Sequence, residues 1–179
     1  MPKFKIDKIN FQTPRPVCKY MASFIKPADS GLVSVLEPTP GAGNLLAEIM
    51  AIKGVAPYYT EGDFWKMDHY SGLLQKERKY DYVVMNPPFT PMAEAFVFLE
   101  ACMKLSDNII CLLPWFILIN SDRRFEAIKN FGLVSVTHLP RKTFPSCRIQ
   151  CVVLELKRDY TGPMELKYYD AEKWNSLMK

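Results

Sequence analysis

Tyr80-Asp81-Tyr82-Val83-Val84-Met85 runs directly into Asn86-Pro87-Pro88-Phe89. The first part is aromatic, β-branched and apolar, which predicts a buried strand. The second part stops it abruptly. Neither proline carries an N–H and each fixes its own φ, so the loop is stiff and its carbonyls lack ladder partners. The Asn86 side-chain oxygen and the Pro87 carbonyl can then each accept one hydrogen of an exocyclic amine. Held this way, the amine nitrogen localises its lone pair and becomes nucleophilic, ready to take a methyl group. Phe89 can stack on the flat ring that carries the amine. The plain alternative is a strand-to-helix turn, since Asn-Pro commonly opens turns.

Outward from this stretch, strands alternate with helices. That pattern predicts an α/β, doubly wound, mostly parallel Rossmann-like sheet with helices on both faces. On the N-terminal side, Thr13-Pro14 offers an N-cap and a first helical position. Val17, Met21, Phe24 and Ile25 share the face of the helix that follows, and Pro27 ends it. Leu32 to Leu36 is a short strand. A helix from Asn44 presents Leu45, Leu46, Ile49 and Met50, and Gly54 closes it. Val55 to Thr60 is the next strand. On the C-terminal side, Thr90-Pro91 opens a helix with the stripe Met92, Ala95, Phe96, Leu99 and Met103. Asn108 to Leu113 is a strand. Ser121 caps a helix that turns Phe125, Ile128 and Phe131 inward and stops at Gly132.

Leu133 to Leu139 and Ile149 to Leu156 are strands joined too closely for a helical crossover, so this last pair should be an antiparallel hairpin. From Lys157 the chain is polar and weakly patterned, with a closing helix expected around Trp174. The whole reads as one domain over residues 1–179, with a helical segment over 1–30 and a polar tail over 157–179.

A chain of 179 residues can bury a sizeable core. Its net charge of +4 permits a polyanionic partner without demanding one. The longest apolar stretch, Ile109 to Ile119, is interrupted by Pro114 and falls short of a membrane span. Met1-Pro2-Lys3-Phe4-Lys5 lacks the apolar core of a signal peptide, which points to the cytoplasm. The five cysteines form no C-x-x-C pair, and His69 and His138 lie far apart. No metal site and no disulfide framework is expected.

Pro40-Gly41-Ala42-Gly43 lies between a strand and a helix, where glycines let the backbone approach a ligand. Glu37 ends the strand before this loop, as Asn86 follows the end of a later one. In a doubly wound sheet both belong to one rim, where ligands bind. The loop is neither G-x-x-x-x-G-K-[ST] nor G-x-G-x-x-G, which argues against a P-loop nucleotidase and a nicotinamide enzyme.

Taken together, these motifs resemble the class I S-adenosylmethionine-dependent methyltransferases, and among them the adenine-N6 methylases of DNA. Phe11-Gln12-Thr13-Pro14 resembles the element that touches the methionine part of the cofactor. Glu37-Pro38-Thr39-Pro40-Gly41-Ala42-Gly43 resembles the cofactor loop, with Glu where Asp is more usual. Asn86-Pro87-Pro88-Phe89 resembles the catalytic motif. The motif order and the closing hairpin are those of type I modification subunits and of phage and plasmid methylases. The resemblance implies that S-adenosylmethionine is held by Phe11, Thr13, Glu37, Thr39, Pro40, Gly41 and Gly43. It places the catalytic work at Asn86, Pro87, Pro88 and Phe89. It implies DNA as partner, with RNA also admitted, and a specificity subunit or a second copy as protein partner.

Two departures from the family stand out. The span from Gly43 to Gly62 holds only a helix and a short strand, whereas a strand-helix-strand unit needs roughly thirty residues. One βα unit is therefore expected to be missing. Glu61 or Asp63 would then hold the cofactor ribose, with Phe64 against its adenine; the alternative is that both acids are solvated loop carboxylates. The stretch after Leu156 is expected to hold no separate target-recognition domain.

Between the last strands, Arg141, Lys142 and Arg148 surround Phe144, a pattern that can neutralise phosphates and stack on or wedge a base. The alternative is a solvated hairpin tip. Trp115 and Phe116 follow a strand and should lie on the same rim as Asn86. Similar four-residue motifs serve guanine N2 of ribosomal RNA and protein glutamine amides. A catalytically silent binding subunit is the reading from a different class.

Overall fold

A computed structural model describes residues 12–60, 79–89, 92–144 and 149–177. Their strands are β1 (Val33–Glu37), β2 (Val55–Tyr59), β3 (Tyr82–Met85), β4 (Asn108–Pro114), β5 (Leu133–His138), β6 (Cys151–Lys157) and β7 (Glu165–Tyr168). Their helices are α1 (Arg15–Ala22), α2 (Asn44–Met50), α3 (Met92–Leu105), α4 (Asp122–Gly132) and α5 (Ala171–Ser176). The strands form one seven-stranded sheet in the order β2-β1-β3-β4-β6-β5-β7.

β2, β1, β3 and β4 pair parallel. β6 runs antiparallel to both of its neighbours, β4 and β5. β5 is thereby aligned with β1 to β4, so the loop after it leaves from the same rim as the loop after β3. The short link between β5 and β6 made the antiparallel pairing legible.

Side chains alternate across each strand, and the two faces bury two cores. On one face Val83, Met85, Ile109, Cys111 and Leu113 pack with Phe96, Phe98 and Leu99 of α3 and Ile128 and Phe131 of α4. On the other, Val33, Val35, Val84, Ile110 and Leu112 pack with Val17 and Met21 of α1 and Leu45 and Ile49 of α2. Helices thus cover both faces, which is why the central strands read as continuous apolar runs. Gly132 ends α4 at φ +125°, with a Cβ there only 2.0 Å from the Lys157 carbonyl oxygen, so no other residue fits without a shift.

Several details differ from the sequence pattern. Met50 is exposed, because the short α2 buries only Leu45 and Ile49. Phe125 stays partly exposed at the start of α4, whose inward residues are Ile128 and Phe131. Helix α5 forms around Trp174 as expected, capped by Asp170. β7, which no strong pattern marked, adds itself in parallel to β5. Among the described residues β2 is the last strand on its side of the sheet. The expected βα deletion, like the Thr90-Pro91 helix start, falls partly on residues outside those described.

Candidate active site

Period-two alternation decides which side chains can meet at the rim. Val33 and Val35 face α1 and α2, so Glu37 faces them too; Val84 does likewise, and Asn86 continues that side. Residues from three separate stretches therefore converge under the start of α1.

Hydrogen bonds tie these stretches together. Asn86 Nδ2 donates to Thr13 Oγ1 at 2.7 Å across 73 positions of sequence. The Asn86 backbone N–H donates to Thr39 Oγ1 at 3.2 Å. Thr39 in turn donates its own N–H and hydroxyl to Glu37 Oε1, both at 2.9 Å. Asn44 Nδ2 donates to the Thr13 carbonyl at 3.1 Å. Cofactor-loop and catalytic-loop candidates are thus one hydrogen-bonded unit.

This unit corrects one expectation. Thr13 is not the helix cap: Pro14 occupies that position and no side chain caps α1. The buried Thr13 hydroxyl is committed to Asn86 instead. The consequence is chemical. With Nδ2 held by Thr13, the Asn86 amide presents its oxygen, an acceptor, to whatever lies above the loop.

Glu37 carries the main electrostatic feature. It is 1% exposed, and its Oε2 is buried without a hydrogen-bond partner. Burial pushes its carboxyl up to about 7, despite the two Thr39 hydrogen bonds that pull the other way. An orphaned buried oxygen of this kind suits a cationic or N–H group of a ligand. Gly41 and Gly43 sit at φ +52° and +86°, which keeps side chains off the loop backbone. Among the described residues a Cβ on Gly43 would meet nothing within 4 Å, which leaves space beside it. Acceptor, glycine backbone and space together fit an amino-acid-bearing cofactor.

Other candidates are placed as follows. Pro87 is buried, Pro88 exposed, and Phe89 half-buried against both cores. Pro40 leads into the turn, its carbonyl accepting from Gly43 N–H at 2.6 Å. Arg141 and Lys142 are exposed on a 3₁₀ turn after β5. Phe144 is half-buried against the core beneath α1, so its ring packs inward instead of projecting from the loop. Trp115 opens the turn after β4, packs against the α3 core, and meets His138 edge-on at 6.4 Å. His138 is satisfied by Gln150 at 3.1 Å. Phe11, Glu61, Asp63, Phe64 and Arg148 lie outside the described residues.

Three residues join the site that the motifs did not single out. Gln12 Oε1 accepts from Ala42 N–H at 3.1 Å and lies against Gly41. Asn44 ties the loop to Thr13. Thr60, buried at the end of β2, donates to the Pro38 carbonyl at 2.8 Å. A polar residue closing an apolar strand was the available signal for Thr60. Among the described residues no cluster of His, Cys, Asp or Glu is suited to a metal, and no helix is long and apolar enough to cross a membrane.

Solved structures share this architecture. The type I restriction-modification methyltransferase subunit from Streptococcus thermophilus superposes with a TM-score of 0.74 at 17% identity, over 94% of this chain and 52% of that one. A protein from Listeria monocytogenes described as a class I S-adenosylmethionine-dependent methyltransferase gives 0.63 at 18% identity, over 94% and 70%. The M protein of the type I restriction enzyme EcoKI gives 0.62 at 14% identity, over 88% and 45%. The chain therefore spans about half the length of these type I subunits, at 52% and 45%. No family model and no curated protein matches the sequence. At these identities the likeness is one of fold: a Rossmann-like, mostly parallel α/β sheet that these proteins also have.

Proposed function

We propose that this chain transfers a methyl group from S-adenosylmethionine to the exocyclic N6 amine of adenine in DNA. The observation that carries the reading is the Thr13–Asn86 hydrogen bond, which spends the Asn86 amide nitrogen and leaves its oxygen to act as acceptor. The cofactor supplies an electrophilic methyl on a sulfonium sulfur.

The chain's own residues do the rest. Glu37, Thr39, Gly41 and Gly43 would hold the cofactor, and the partnerless Glu37 Oε2 would supply an acceptor for its cationic end. A positive group there would replace lost solvation and favour the ionised carboxyl. Asn86 Oδ1 and the Pro87 carbonyl each accept one hydrogen of the target amine. These acceptors oppose delocalisation of the nitrogen lone pair into the ring and direct it at the methyl; as the N–C bond forms the methyl–sulfonium bond would break, the sulfur would leave as a neutral thioether, and the surplus amine proton would pass to water. They also stabilise positive charge as it grows on the nitrogen, which is where preorganised dipoles contribute most. Phe89 presents the exposed part of a ring anchored in both cores, a platform for a base flipped from its stack. Arg141 and Lys142 face solvent beyond the rim and supply sequence-independent attraction to phosphate. Choice of sequence would fall to a specificity subunit.

The test is transfer of labelled methyl from S-adenosylmethionine to unmethylated DNA, bulk RNA and a protein extract in parallel. Label in DNA alone, on N6 of adenine, is the expected result. Label in RNA or protein instead would move the same chemistry to guanine N2 or a glutamine amide. No label, with no cofactor binding, would leave a silent methyltransferase-like binding subunit.

A further inference from the structure

Strand β7 closes the described sheet on one side with an edge that fits itself. It lies parallel to β5, with Glu165 opposite Ser135 and Tyr168 opposite His138. The Tyr169 N–H donates to the His138 carbonyl at 3.0 Å. In a parallel ladder alternate residues send both backbone groups to one neighbour. Glu165 and Lys167 therefore bond β5, while Leu166 and Tyr168 turn their N–H and C=O groups away from the sheet. The side chains alternate as well. Met164, Leu166 and Tyr168 share one face and are 51%, 51% and 75% exposed. Glu165 and Lys167 share the other.

Sheet edges are usually guarded, often by a lysine pointing off the edge. Here Lys167 is drawn back over the sheet, 3.3 Å from Glu155 and 3.4 Å from Glu165. Among the described residues the edge is left apolar on one face, and no strand pairs with its outer backbone.

We infer that β7 is a docking edge for a second copy of this chain, paired antiparallel about a two-fold axis at Leu166. The charge pattern selects this occupant and this register. With Leu166 opposite its counterpart, the outward backbone groups of the two leucines meet each other. Met164 then faces Tyr168 twice, thioether against ring. Glu165 faces Lys167 twice, opposite charges across the strand pair. An axis at Glu165 or Lys167 would instead set like charges face to face. Two-fold symmetry supplies this complement automatically, because the same patch meets itself. The paired sheet would be continuous, with the two Asn86 rims pointing to opposite ends, so each rim stays open to its own ligand.

Sedimentation of the full chain over a wide concentration range tests this, with no reading of activity. The expected result is a reversible monomer–dimer equilibrium. Glu165→Lys alone and Lys167→Glu alone should each weaken the dimer by about tenfold or more, since both cross-strand pairs become like-charged. An equimolar mixture of these two variants should regain a dimer, now mixed. Leu166→Pro should also abolish it, because the N–H it removes points away from β5. Circular dichroism and melting of dilute samples separate loss of pairing from loss of fold. A wild-type chain that stays monomeric, a dimer that all three variants keep, or folded charge variants that fail to pair when mixed would each overturn the inference.

Discussion

Glu37→Gln should make the protein more stable above neutral pH and unable to hold its ligand well. The wild-type carboxyl moves from 4.5 to about 7 on folding, because burial outweighs two hydrogen bonds from Thr39. Between those values the folded state binds more protons than the unfolded state, so stability falls as pH rises. At about 1.36 kcal/mol per decade of ionisation constant, the full loss is about 3 kcal/mol. It is absent below pH 4.5, accumulates up to about 7 and is constant beyond. Glutamine keeps the Oε1 that accepts both Thr39 donors and puts an amide where Oε2 lies buried. Protonated glutamate has a comparable buried donor there, so the two proteins should match in acid.

Elsewhere the carboxyls are the same in both proteins, including Asp107, held low mainly by its hydrogen bond from Arg158. They drop out of the difference. Urea titrations at about pH 5, 6, 7 and 8 should show the variant gaining on the wild type by up to about 3 kcal/mol, then levelling off. Cofactor affinity should move the opposite way, since the anionic acceptor is gone. Parallel stability curves for the two proteins would refute the argument that a solvent-starved carboxylate sits beneath the loop.

Other outcomes follow from the same geometry. Asn86→Ala should lower methyl transfer by about 10²–10³ while leaving cofactor affinity nearly unchanged, measured by turnover and calorimetry. Thr13→Val should keep the fold but release the Asn86 amide, lowering kcat more than it raises KM for DNA; an unchanged kcat would remove the Thr13 bond from the mechanism. Phe89→Ala should weaken capture of the target base by about 1–3 kcal/mol in equilibrium binding to a duplex with an unpaired adenine. Replacing Arg141, Lys142 and Arg148 by alanine should flatten the salt dependence of DNA binding by about 0.9 log units for each phosphate no longer neutralised. Equal slopes would show that the loop is no DNA grip. Gly132→Ala should cost about 3 kcal/mol in urea titration, through its positive φ and the nearby Lys157 carbonyl.

Local periodicity and link length were legible in the chain before any folding is considered. The runs around Val83-Val84 and Ile109-Ile110 are apolar without alternation because both of their faces are covered, and this marked central parallel strands. The brevity of the β5–β6 link dictated an antiparallel pair. The prolines after Asn86 and the glycines after Glu37 marked the two rim loops, since those residue types act on their own backbone.

Packing settled where each polar group is spent. Thr13 resembled a helix cap in sequence, yet its hydroxyl serves an asparagine 73 positions away. Glu37 resembled a loop-edge acid, yet burial beneath α1 and α2 leaves one oxygen orphaned and its proton affinity raised. Phe144 resembled an exposed aromatic, yet it packs against a core. β7 became a strand because β5 offered it a free edge. Capping, ionisation and edge pairing all depend on which distant groups arrive within hydrogen-bonding range, and only the folded sheet brings them there.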